Sequence, residues 1–131
     1  MAKSKKLTVK ANTKLEREVK QWVNSLAGEY DSGPEGVLKD LFHGGCASGM
    51  VSELIYYKDT IPFYKNHKAE IQALLKDMMD DTGLHSPREL FGDKWDDDDM
   101  FAEDTMNQNL LAWFGFEEAA RKLASRAGIE I

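Results

Sequence analysis

Three times in this chain a hydroxyl residue is followed three places later by glutamate: Thr13 and Glu16, Ser32 and Glu35, Ser86 and Glu89. Each pair has the spacing of a capping box, in which each side chain accepts a hydrogen bond from the other residue's backbone N–H. Two of the boxes are reinforced by proline near the first helical position, Pro34 and Pro87, where the missing N–H would have no helical partner. Repeated helix starts, each followed by apolar residues at helical spacing, point to an all-α fold. Leu15, Val19, Trp22, Val23 and Leu26 share one face of a first helix, which runs to about Ala27 and can end at Gly28. Val37, Leu38, Leu41 and Phe42 make the buried face of a second helix, stopped by Gly44 and Gly45.

Between these starts lies the stretch His43-Gly44-Gly45-Cys46-Ala47-Ser48-Gly49, which holds three of the ten glycines and the one cysteine. A glycine-rich turn opening into the apolar run from Met50 to Tyr57 reads as a tight loop delivering a buried element. That run fits a helix better than a strand, because no second strand exists to pair with it. Pro62 opens what looks like the longest helix, with Phe63, His67, Ile71, Leu74, Leu75, Met78 and Met79 on one stripe. Gly83 ends it, with Leu84 folding back as in a Schellman cap. A short helix holds Leu90 and Phe91 and stops at Gly92. The last helix begins between Asp99 and Thr105, contains Gly115 as a soft point, and ends in a second Schellman pattern at Gly128-Ile129.

The expected architecture is a compact single-domain bundle of about five or six helices with the glycine-rich loop at its centre. Residues 1–11 read as a basic flexible tail and residues 12–131 as the helical domain. At 131 residues the chain can bury roughly 65–70% of its unfolded surface, enough for one core. It has no run of about 18 apolar residues that could span a membrane, and its basic start lacks the apolar stretch of a secretion signal. With one cysteine it forms no internal disulfide, which suits a reducing cytoplasm.

Charge is polarised along the chain. Residues 1–20 carry seven Lys/Arg against two Glu, and residues 93–104 carry seven Asp/Glu against one Lys. The net charge of −6 argues against direct nucleic-acid binding. It leaves Asp93, Trp95, Asp96, Asp97, Asp98, Asp99, Glu103 and Asp104 as a candidate acidic partner-binding surface. Trp95 is the ring expected at that surface, since tryptophan combines apolar area with a polar tip.

Cys46 is the sharpest candidate for chemistry. Before a helix N-terminus its thiol would be acidified, with His43 or His67 as base and Asp59 to orient it. The plain alternative is a small buried residue under a glycine-rich turn. His43 and Cys46 have the spacing of metal ligands, but a closed zinc site needs four. Asp96 to Asp99 lacks the oxygen and glycine positions of an EF-hand loop. Neither a metal nor another cofactor is therefore expected. Glu117 and Glu118 point about 100° apart on a helix and suit salt bridges to Arg121 or Lys122.

The block from Gly44 to Thr60 (GGCASGMVSELIYYKDT) resembles the central signature of a small, functionally uncharacterised family carried by tailed bacteriophages. Phe63–Ile71 and Asn109–Ala120 are similar to its later blocks. The resemblance implies a phage accessory protein in the cytoplasm of an infected bacterium and brings no site residue with it. By analogy with small acidic phage proteins, the expected function is non-catalytic: binding and modulating a host or defence protein. A cysteine enzyme built on Cys46 and a self-associating module are the alternatives.

Overall fold

A computed structural model of the chain describes residues 6–43, 60–95 and 105–130. Among the described residues there are six α-helices, one 3-10 turn and no strand, so the chain is all-α. The helices are α1 (Lys14–Ala27), α2 (Pro34–His43), α3 (Thr60–Asn66), α4 (Lys68–Thr82), α5 (Pro87–Phe91) and α6 (Thr105–Arg126), with the 3-10 turn at Gly92–Lys94. Contacts divide the chain into two units, Met1–Glu53 with Phe116–Ile131, and Leu54–Gly115. The expected glycine-rich loop and the run to Tyr57 lie outside the described residues.

In the first unit, the fully buried face of α1 is Leu15, Val19, Val23 and Ala27, one residue per turn. Val37, Leu38 and Leu41 of α2 join this core, as do Phe116, Ala119, Ala120, Leu123 and Ala124 of α6. Trp22 meets Phe116 edge to face at 5.0 Å, the arrangement favoured by ring quadrupoles.

At the start of α1 the expected Thr13 cap forms, and Glu16 also bonds outside the box. Thr13 Oγ1 accepts from Glu16 N–H at 3.1 Å, and the Glu16 carboxylate accepts from Asn12 N–H at 2.9 Å. At α5 the glutamate likewise bonds the residue before the expected cap. There Ser86 makes no side-chain cap and Glu89 accepts from His85 N–H at 2.7 Å. The middle box fails for a different reason. Gly33, at φ 69°, takes the position before Pro34, and its carbonyl accepts from Gly36 and Val37. Glu35 instead pairs with Lys39 at 3.1 Å. The left-handed residue that ends the α1–α2 connection is thus Gly33, while Gly28 stays right-handed at φ −66°.

Residues 6–11 of the expected tail lie against α1 through Leu7. The segment has no regular secondary structure, yet Leu7 is 4% exposed. Its N–H donates to Asn24 Oδ1, and Asn24 Nδ2 donates back to Leu7 O at 3.2 Å.

In the second unit, the long helix expected from Pro62 is two helices. They meet at His67, whose φ of −124° and ψ of 18° are not helical. Phe63, Tyr64, His67 and Ile71 are buried, whereas Leu74, Leu75, Met78 and Met79 are only half-buried. Gly83 (φ 72°) closes α4, with Leu84 N–H donating to Met79 O at 3.0 Å, the Schellman bond. Gly128 and Ile129 repeat it after α6, where Ile129 N–H donates to Ala124 O at 2.9 Å.

Gly115 is a point of close approach, not a soft one. A Cβ there would lie 2.5 Å from Ile71 Cγ1 and 2.8 Å from its Cδ1. Only glycine lets α6 come this near to α4. Phe91 then stacks on Trp95 (5.3 Å, 17°) and meets Phe114 edge-on at 6.0 Å.

Candidate functional site

The half-buried side of α4 forms an open groove of about 400 Å³. Leu75, Met79 and Leu84 supply its apolar lining, and Gln72, Lys76, Asp80 and His85 its polar edge. Helical geometry explains the lining. Leu75 and Met79 are one turn apart, about 40° and 80° round the helix from Ile71, which faces the core. The Schellman turn brings Leu84 back across the end of the helix and so extends the apolar strip. Gln72 is held at the other end, donating to Tyr64 Oη at 3.0 Å. A methionine and two leucines at a groove offer an adaptable apolar surface of the kind that receives another protein's side chains.

The candidate residues for chemistry are only partly described. Cys46 and Asp59 lie outside the described residues, as do Asp96, Asp97, Asp98, Asp99, Glu103 and Asp104. His43 is the exposed last residue of α2, in the first unit. His67 belongs to the second unit, is 3% exposed and packs 5.0 Å from the Phe63 ring. Its backbone stitches the break between α3 and α4, donating to Tyr64 O at 3.1 Å and accepting from Ile71 at 2.9 Å. Among the described residues no three His, Cys, Asp or Glu side chains gather closely enough to hold a metal ion. No described helix is long and apolar enough to cross a membrane.

Asp93 is exposed in the 3-10 turn. Trp95 corrects the expectation: it is 7% exposed and stacked on Phe91. Surrounding charge made it look like a surface ring, but the 3-10 turn directs it inward, with Trp95 N–H donating to Gly92 O at 3.1 Å.

One ion pair escaped the sequence. Arg126 donates to both carboxylate oxygens of Glu16, one of them at 3.2 Å, and also to Lys10 O at 3.1 Å. Burial pushes the Glu16 carboxyl up. The hydrogen bonds from Arg126 and Asn12 N–H, with the charges of Arg126 and Lys122, outweigh this and hold it below the usual range. Glu16 counted as a capping residue in the sequence, and nothing local marks a partner so distant along the chain. Near it on α6, Arg121 pairs with Glu118 at 3.3 Å, as its spacing predicts, and lies 4.5 Å from the centre of the Phe42 ring. The neighbouring Glu117 is pushed up, chiefly by burial and further by the charge of Glu118, with Arg121 opposing.

A family model, described as a domain of unknown function (DUF7222), matches residues 12–129, and the chain belongs to that family. No curated protein and no solved structure matches the chain.

Proposed function

We propose that this is a non-catalytic binding protein that acts by docking onto another protein. The α4 groove carries the reading. Leu75, Met79 and Leu84 line one groove open to solvent, and Leu74 and Met78 on the same helix are also only half-buried. Apolar strips of this kind mark interaction surfaces more often than scattered exposed leucines do. The setting we propose is the cytoplasm of a phage-infected bacterium, with a host or defence protein as partner. The likeness of residues 44–60 to a phage protein family supports it. The acidic stretch around Asp93 would add electrostatic steering, while the buried Trp95 has no part in the contact.

The test is affinity capture of the tagged protein from host lysate at low and high salt, read by mass spectrometry. Wild type is compared with Met79→Asp and with a variant carrying asparagine at positions 96–99. We expect one bacterial protein in stoichiometric amount, lost in Met79→Asp and weakened by salt and by the asparagine variant. Equal recovery with Met79→Asp would remove the groove. No recovery from wild type at low salt would remove the binding function itself.

A further inference from the structure

The segment Lys6–Asn12 lies along α1 in a way that shows what its seat can hold. Leu7 is paired with Asn24 and Asn12 with Glu16, so the segment runs antiparallel to the helix. Eight residues of α1 rise about 12 Å, well within the roughly 17 Å that five residues reach when fully extended, and the segment bends at Val9. The hold on this strap is mostly backbone-directed. Asn24 uses both ends of its amide on the N–H and C=O of Leu7, Glu16 takes Asn12 N–H, and Arg126 donates to Lys10 O. Leu7 is the one strap side chain that is fully buried. Beside it, Val9 shares a groove of about 250 Å³ with Pro34, Ala127 and Ile129.

Leu7, the half-buried Val9 and Ala11, and side-chain-to-backbone bonds hold this irregular chain. The neighbouring helices are held by whole buried faces. Segments with so few apolar contacts open far more often than the core they rest on. A side-chain amide that reads one peptide group through both donor and acceptor does not distinguish its own chain from another non-helical segment.

We propose that Lys6–Asn12 is a latch that opens while the helices stay folded. The seat it leaves, built on Asn24 beside Pro34, Ala127 and Ile129, takes a non-helical peptide segment bearing a leucine. In the closed form the chain's own Leu7 occupies the seat and competes with any such peptide. This site is separate from the α4 groove and does not depend on it.

Two measurements on the full-length chain decide the matter. In native-state hydrogen exchange, the Leu7 and Asn12 amides should exchange at least tenfold faster than those of Val23 and Leu123. Equal rates would mean that the strap opens only with global unfolding, and would overturn the latch. In the second, a labelled peptide with the sequence of residues 6–12 is titrated into wild type, Leu7→Asp and the milder Leu7→Ala. Opening the latch should tighten peptide binding at least tenfold in one or both variants, and adding Asn24→Leu should abolish the gain. Binding no tighter than to wild type in either variant would overturn the seat. So would a gain that survives Asn24→Leu.

Discussion

Arg126, at the last turn of α6, holds both carboxylate oxygens of Glu16 in the first turn of α1, 110 residues earlier in the chain. The Glu16 side chain is 3% exposed and that of Arg126 30%, so the carboxylate is desolvated while the guanidinium still touches water. Breaking a fully buried pair costs about 3–5 kcal/mol. With one partner partly solvated, Arg126→Met should cost about 2–3 kcal/mol, measured by urea denaturation. Glu16→Gln should cost less, because the amide keeps an acceptor for Asn12 N–H. A double mutant whose loss equals the sum of the two single losses would show that the pair is not coupled.

The acid limb of stability should carry opposite signatures from two glutamates. Glu16 has a folded pKa below the ordinary value of 4.5. Its stabilisation is complete above that value and is lost as pH falls through the lower, folded one. Glu117 is raised above 4.5, so it costs stability at neutral pH, and the cost is relieved as pH falls through its folded pKa. Glu117→Gln should therefore raise the melting temperature at pH 7 and remove the gain on mild acidification. Glu16→Gln should flatten the loss below pH 4.5. Melting curves from pH 3 to 7 that are parallel for all three proteins would contradict both assignments.

Gly115→Ala should destabilise, although alanine favours a helix by about 1 kcal/mol over glycine. The new methyl would overlap Ile71 Cγ1, which is not the free end of that side chain, and Ile71 is fully buried. Overpacking of this kind costs about 1–3 kcal/mol. Adding Ile71→Ala should make the pair of changes less damaging than their sum, in equilibrium denaturation. A stabilised Gly115→Ala protein would mean that α6 does not approach α4 so closely.

Trp95→Ala should act on folding. Losing a buried aromatic ring costs about 3–5 kcal/mol, and the stack on Phe91 goes with it. A drop of this size in chemical denaturation, with a matching loss of near-ultraviolet dichroism, is expected. An unchanged denaturation midpoint would return Trp95 to the surface.

What the sequence made legible was punctuation. The starts at Thr13, Pro34 and Ser86, and the Schellman ends at Gly83 and Gly128, are local events written in adjacent residues. The periodicity of Leu15, Val19 and Val23 located the α1 face for the same reason. The break at His67 was hidden because Phe63, His67 and Ile71 keep helical spacing across it. Trp95 was misread because its neighbours' charges say nothing about which way a 3-10 turn aims a ring. The Glu16–Arg126 pair and the Leu7–Asn24 pair join distant residues, and no spacing rule reports them. Of the α4 groove, the apolar positions were visible, but assigning Leu75 and Met79 to solvent required knowing that Ile71 and Gly115 take the core side.

The grip of Asn24 on Leu7 engages only atoms that every residue except proline possesses. Thr8 and Lys10, whose side chains are exposed, can therefore drift in charge and size without loosening that grip. The leucine side chain and the asparagine cannot change so freely. Along this edge of the protein the surface can be rewritten while the chain keeps its course, which gives the basic face of the N-terminus a latitude that the core positions of α1 lack.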